Sequence, residues 1–237
     1  MSPLCIVVAG DPVPKTIERR GGFAELIRET TGASWSGDWQ SFDARSGEAP
    51  PDPNAVAGLI VTGSASSVTS REPWIVAIEH YLAEAVRREV PVLGICFGHQ
   101  LLGQALGGQV AKNPRGREMG TVELELLEAD PLLDHGERPY LANMSHQDSV
   151  IELPPGASVL ARSEREPYAA LRFSRSAWGV QFHPEFDRGV VIDYVEARRE
   201  ALEAEGQNAT QILDVTRDTP GGRSVLRRFV EHALSAR

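Results

Sequence analysis

Two short segments of this chain carry residue types that do covalent chemistry. In Val92-Leu93-Gly94-Ile95-Cys96-Phe97-Gly98-His99-Gln100, an apolar, β-branched run meets a cysteine framed by glycines. The pattern reads as strand, sharp turn and helix, with Cys96 on the turn and the glycines allowing the strained backbone such a turn needs. A thiol placed there stands at the amino end of a helix, whose partial positive charge favours the thiolate, the nucleophilic form of cysteine. The second segment, Trp178-Gly179-Val180-Gln181-Phe182-His183-Pro184-Glu185, ends an apolar strand on a histidine with a carboxylate close behind. A thiol nucleophile needs a base that takes its proton and returns it to a leaving group, and a carboxylate can orient that base. Cys96, His183 and Glu185 are therefore the candidate catalytic residues.

The remaining histidines fit that role less well. His80 and His232 fall in charged helical stretches and are expected in solvent, and His135 falls in a polar turn. His99 lies on the helix after Cys96 and is expected to point away from it. The second cysteine, Cys5, sits in an apolar strand and reads as a small buried hydrophobe. No Gly-x-Ser-x-Gly turn offers a serine nucleophile, and no His/Cys/carboxylate spacing suggests a metal site. Neither metal nor cofactor is expected.

The elements that must hold these groups can be read from hydrophobic patterning. Buried strands are expected over Leu4–Ala9, Ala57–Val61 and Val90–Ile95, and helices over Phe23–Thr31, Pro73–Arg88 and from Cys96 to Gly107-Gly108. A Pro-rich polar loop is expected over 43–54. This alternation predicts an α/β fold: a mostly parallel central sheet with helices on both faces. Thr121–Leu126 alternates as a half-exposed strand does, and further short strands near 149–152, 157–161, 168–173 and 177–182 make a small antiparallel section. After Asp187 the chain turns helical and charged, over Val190–Glu205, 208–216 and Ser224–Ser235, with Thr219–Ser224 read as a loop. Residues 1–186 are thus read as one domain, and 187–237 as a helical C-terminal extension packed on it.

At 237 residues, 41% hydrophobic and 24% charged, the chain has the makeup of a globular α/β domain. A net charge of −9 argues against a nucleic-acid partner, since such proteins present basic patches. No run approaches the roughly 18 apolar residues of a membrane span. Met1–Val8 reads as a core strand and not as a signal peptide, so a cytoplasmic protein is expected.

Together, Gly94-Ile95-Cys96-Phe97-Gly98-His99-Gln100 and Gly179-Val180-Gln181-Phe182-His183-Pro184-Glu185 resemble the class I glutamine amidotransferases, in particular the glutaminase domain of GMP synthase and its stand-alone relatives. The resemblance runs from about residue 4 to residue 186 and implies a flavodoxin-like fold. It implies that Cys96 attacks the γ-amide carbonyl of glutamine, that His183 serves as base and then acid, and that a thioester is hydrolysed to glutamate. It implies an oxyanion hole from the backbone N–H groups of Phe97 and Gly63, and substrate contacts at Gln100 and near Ser145 and His146. Two positions depart from the pattern: Thr62 stands where many members have glycine, and Gln147 replaces the glycine of a Ser-His-Gly-Asp stretch.

No phosphate-cradling loop or pyrophosphatase signature accompanies these motifs, so the chain is not expected to activate an acceptor with ATP by itself. A separate synthetase subunit would do so, or the chain would act alone as a γ-glutamyl peptidase. A catalytically silent binding or redox protein on the same fold is the remaining alternative. The helices after Asp187 read first as a solvated cap on the domain, with a docking surface for a synthetase or for a second protomer in an oligomer as the sharper alternative.

Overall fold

The computed structural model describes residues 2–133, 136 and 138–235; His135 lies outside the described residues. Its centre is a sheet in the order β2-β1-β3-β4-β11-β10-β9-β6-β7, nine strands among the described residues. The first block is parallel. β1 (Leu4–Val8) runs between β2 (Trp39–Asp43) and β3 (Gly58–Val61), then come β4 (Val92–Ile95) and β11 (Ala177–Val180). β1, β3, β4 and β11 are almost wholly buried apolar runs, as strands covered on both faces must be. The second block, β10 (Ala170–Ser174), β9 (Ser158–Arg162), β6 (Glu118–Leu126) and β7 (Tyr140–His146), continues the same sheet in antiparallel pairing. β5 (Gln109–Lys112) and β8 (Asp148–Glu152) form a separate antiparallel pair.

Side chains that alternate along β1 feed two cores. Cys5 and Val7 join Leu59, Val61 and Val92 against Ile75, Ile78 and Leu82 of α3 (Pro73–Arg87) and Leu101 and Leu102 of α4 (Phe97–Ala105). Ile6 joins Ile60, Leu93, Ile95 and Trp178 on the other face, against Ile27 of α2 (Phe23–Thr31) and Val225, Leu226 and Phe229 of α8 (Pro220–Ser235). The parallel α/β architecture with helices on both faces is as expected, and Cys5 is buried within it.

Several local expectations are corrected. Asp43 and the residues before it form β2, and Pro53–Ala55 is a 3₁₀ turn, so the 43–54 segment is not all loop. The helix expected over 190–205 is two helices, α5 (Arg188–Ala197) and α6 (Arg199–Ala204), broken at Arg198, which leaves helical geometry at φ −117°, ψ 11°. α8 begins at Pro220 and not at Ser224. Gly222 lies so close to β7 that an added Cβ would sit 3.0 Å from the Leu141 carbonyl oxygen, so this glycine, read as a loop residue, serves close helix–sheet packing. His232 is half-buried with its ring edge-on to Trp178 at 4.7 Å, not solvated. A third core joins Phe23 and Leu26 of α2 to Val190, Val191, Tyr194 and Leu202, and Ala209 of α7 (Ala209–Val215). Asp193, buried on α5, accepts from Arg19 of α1 (Pro14–Arg20) at 3.0 Å and pairs with Lys15 at 3.1 Å, which ties α1 to α5. No helix among the described residues is long and apolar enough to cross a membrane.

Candidate active site

Because β3, β4 and β11 are parallel neighbours, the segments leaving their carboxyl ends emerge side by side, which is where open α/β sheets bind ligands. The segment after β3 carries Gly63, the one after β4 carries Cys96, and the one after β11 carries His183 and Glu185. The Cys96 N–H donates to the Val180 carbonyl at 2.8 Å and the His183 N–H to Asn143 at 2.8 Å, fixing both turns to the sheet.

Cys96 caps α4 at φ 51°, ψ −101°, a conformation that L-residues avoid. The strain thus falls on the cysteine itself, and neither flanking glycine takes a positive φ. Gly94 and Gly98 serve close approach instead. A Cβ on Gly94 would come within 2.4 Å of the Gly98 carbonyl oxygen, and one on Gly98 within 2.5 Å of the Val61 carbonyl oxygen. The glycines let α4 start directly against β3 and β4, and the turn then has to be made at Cys96.

His183 is almost fully buried. Its Nδ1 lies 2.8 Å from Glu185 Oε1, and its ring stacks on Phe186 at 4.0 Å and 11°. Burial alone would lower its pKa, but the Glu185 carboxylate and the adjacent Cys96 side chain raise it to about 10. With Nδ1 donating to Glu185, Nε2 is the nitrogen available for proton transfer. Gly63 closes the group: a Cβ there would sit 2.9 Å from His183 Cε1 and 3.8 Å from Cys96 Cβ. The neighbouring departure, Thr62, has a use for its side chain. Its hydroxyl accepts from the Ala9 N–H at 2.9 Å and donates to the Gly63 carbonyl at 3.0 Å, tying the Gly63 turn to the end of β1. Phe97 follows Cys96 and stacks its ring on Trp74 at 5.7 Å.

The cleft has two lobes that share Ser64, Ala65, Cys96, Ser145 and Arg198. One, about 410 Å³, is lined by Ser67, Gln100, Arg117, His146, Gln147 and Asp148. The other, about 220 Å³, is lined by Pro12, Val13, Phe23, His183 and Tyr194. The Ser145 carbonyl lies 3.8 Å from the Cys96 sulfur. Gln100 Nε2 donates to the Asp148 carbonyl at 2.7 Å and to Gln181 Oε1 at 3.0 Å, so this amide also pins the far wall of the first lobe. Gln147, in the amide orientation that satisfies both groups, accepts from the Arg117 guanidinium, a contact glycine could not make. A larger cavity of about 700 Å³ on the antiparallel side, near Glu123, Glu125 and Arg162, is lined by neither cysteine nor histidine.

His146, part of the lining of the first lobe, belongs to a cluster that sequence reading missed. Its Nε2 is 3.4 Å from Glu118 Oε2, and its Nδ1 is 3.0 Å from the Asp148 carbonyl and 3.8 Å from Glu166 Oε2. Burial alone would lower its pKa, but Glu118 and Glu166 raise it, while burial raises that of Glu166. Ser163 donates to Glu118 at 2.7 Å. His99 lies away from the cleft, against Phe173 and Gly179, where a Cβ on Gly179 would come 2.5 Å from its Nδ1. Burial pushes its pKa down to about 3, so it stays neutral.

The sequence model of the glutamine amidotransferase class-I family matches residues 39–193. The chain belongs to the class I glutamine amidotransferases. It is 35% identical over 173 residues to a glutamine-hydrolysing GMP synthase of Aeropyrum pernix, a match covering 73% of this chain and 30% of that protein. It is 28% identical to gamma-glutamyl peptidase 5 of Arabidopsis thaliana, covering 74% of this chain and 72% of the relative. Its fold is similar to that of a glutamine amidotransferase from Thermotoga maritima, with a TM-score of 0.76, 22% identity and 99% of each chain covered. Against the GMP synthase the chain spans under a third of the relative's length.

Proposed function

We propose that this amidotransferase cleaves a γ-glutamyl amide through a covalent intermediate on Cys96. The Cys96 thiolate attacks the γ-carbonyl carbon, and the resulting oxyanion is met by the backbone N–H groups of Phe97 and Gly63. His183, as imidazolium, gives its Nε2 proton to the departing nitrogen while Glu185 holds Nδ1. The C–N bond breaks, leaving a γ-glutamyl thioester and an amine. Neutral His183 then takes a proton from water, the hydroxide attacks the thioester carbonyl, and glutamate leaves as the thiolate re-forms. Gln100, Ser145 and His146 shape the lobe that receives the glutamyl group. The observation that carries this reading is the convergence of a strained Cys96 and a Glu185-held His183 at the ends of neighbouring strands.

With glutamine as substrate the amine is ammonia, and a separate synthetase subunit would consume it. A second reading, a γ-glutamyl peptidase acting alone, is favoured by the lobe beside His183. The acid protonates the leaving nitrogen on that side, and the lobe is lined by Pro12, Val13, Phe23 and Tyr194, an apolar site for a substituent larger than hydrogen. The test is glutamate release from L-glutamine and from γ-glutamyl dipeptides, with Cys96→Ala beside the native chain. Release abolished in Cys96→Ala is expected; release that persists in it contradicts the mechanism. The ratio of glutamine to dipeptide turnover separates the two readings.

A further inference from the structure

Among the described residues, the cleft holds a cation that no carboxylate pairs with. Arg117 is matched: its guanidinium lies 2.9 Å and 3.1 Å from the Glu205 carboxylate. Arg198 differs. It sits at the break between α5 and α6, lines both lobes around Cys96, and has its guanidinium over the Tyr194 ring at 4.7 Å. Its Nη1 is buried with no hydrogen-bond partner among the described residues. The groups acting on it are Tyr194, Arg117 and Cys96, and none of these is a carboxylate. A half-buried guanidinium with one nitrogen cut off from water and unpaired is a costly arrangement unless an anion completes it. Its planar fork suits a carboxylate.

We infer that Arg198 binds the α-carboxylate of the γ-glutamyl group and so determines which amides the cleft accepts. This rests on the γ-glutamyl reading above. Every γ-glutamyl compound carries that carboxylate, three carbons from the carbonyl that Cys96 attacks, and Arg198 and Cys96 line the same cavity. The substrate class is then amides of glutamate with a free α-carboxylate. Amides whose α-carboxylate is blocked are excluded. Because the carboxylate does not react, Arg198 contributes to binding and therefore to KM more than to kcat.

The test measures calorimetric binding of L-glutamine and of its α-amide, in which the carboxylate is blocked, to Cys96→Ala, Cys96→Ala/Arg198→Gln and Cys96→Ala/Arg198→Lys. Turnover of glutamine and γ-glutamyl dipeptides by the native chain and Arg198→Gln runs beside it. The expected result is glutamine binding roughly 10- to 100-fold tighter than the α-amide, the range of a hydrogen bond to a charged group. Arg198→Gln should erase that preference and raise KM with kcat little changed, while Arg198→Lys restores part of it. Equal affinity for the two ligands in Cys96→Ala overturns the inference. So does a loss in Arg198→Gln that falls equally on both ligands, and both results leave the thioester mechanism standing. Absence of turnover by the native chain, with neither ligand bound, overturns that mechanism and this inference together.

Discussion

Two histidines lie at the cleft, each buried and each beside carboxylates, yet they are wired differently. His183 uses Nδ1 for Glu185 and turns its other nitrogen to the Cys96 side chain. His146 has acceptors at both nitrogens, the Asp148 carbonyl and Glu118, with Glu166 close by. A ring whose second nitrogen faces a thiol can exchange a proton with it, whereas a ring held on both sides by a carbonyl and carboxylates keeps its surroundings in place. The backbone agrees with this division. Strain is concentrated at Cys96, next to His183, while His146 ends a regular strand paired in register with β6. The two rings differ in which partners each is given, a thiol and a carboxylate for His183, a backbone carbonyl and a carboxylate for His146.

The largest expected effect separates the two rings directly. His183→Asn should lower kcat/KM by about 10³- to 10⁴-fold, and His146→Gln by only about 10-fold, carried mainly in KM. Steady-state kinetics on whichever γ-glutamyl substrate turns over fastest would measure both. A loss of kcat in His146→Gln as deep as that in His183→Asn would break the contrast. Glu185→Gln, which keeps the hydrogen-bonding shape but removes the charge that stabilises the imidazolium, should cost roughly 10²-fold in kcat. Glu118→Gln should act on the fold more than on the chemistry. Weakening a buried, charge-assisted network should cost about 1–3 kcal/mol in urea unfolding, with kcat within several-fold of the native chain.

The smallest effect is in the pH dependence of stability. His183 has its pKa raised from 6.5 to about 10 in the folded chain, so the folded state binds its proton more tightly than the unfolded state does. The stability it contributes is fully present below pH 6.5 and is lost as pH rises through about 10. Across that window the native chain should lose stability that His183→Asn does not lose. Equal slopes for the two proteins would show that the imidazolium is not favoured by folding.

What the sequence made legible was local. The glycine-framed Cys96, the strand-end His183 and Glu185, and the buried runs of β1, β3 and β4 each announce themselves within a few residues. What it hid depends on separation in the chain. Glu118 and Glu166 reach His146 only because β6, β7 and the β9–β10 connection meet in the sheet, and neither carboxylate carries a local signal. β7 was missed because Asn143, Ser145 and His146 interrupt its apolar pattern. β2 was missed because it is an edge strand with most of its residues at least partly exposed. The break at Arg198 was hidden because charged residues on both sides read as one continuous helix. The glycines beside Cys96 were correctly found but given the wrong physical reason, since strain at the cysteine can be told from close packing only once the neighbours are in place.

The most direct test of the thioester mechanism uses the two cysteines as each other's control. Cys5 is buried in β1, and burial raises its pKa to about 12, which suppresses its thiolate. The chain would be treated with 6-diazo-5-oxo-L-norleucine, a glutamine analogue that alkylates a nucleophile at the γ position, and the modified residue located by peptide mass spectrometry. The expected result is one adduct per chain, on Cys96 alone, formed far more slowly in His183→Asn. No adduct on Cys96, or labelling that falls on Cys5 as readily, would contradict the assignment of Cys96 as the nucleophile.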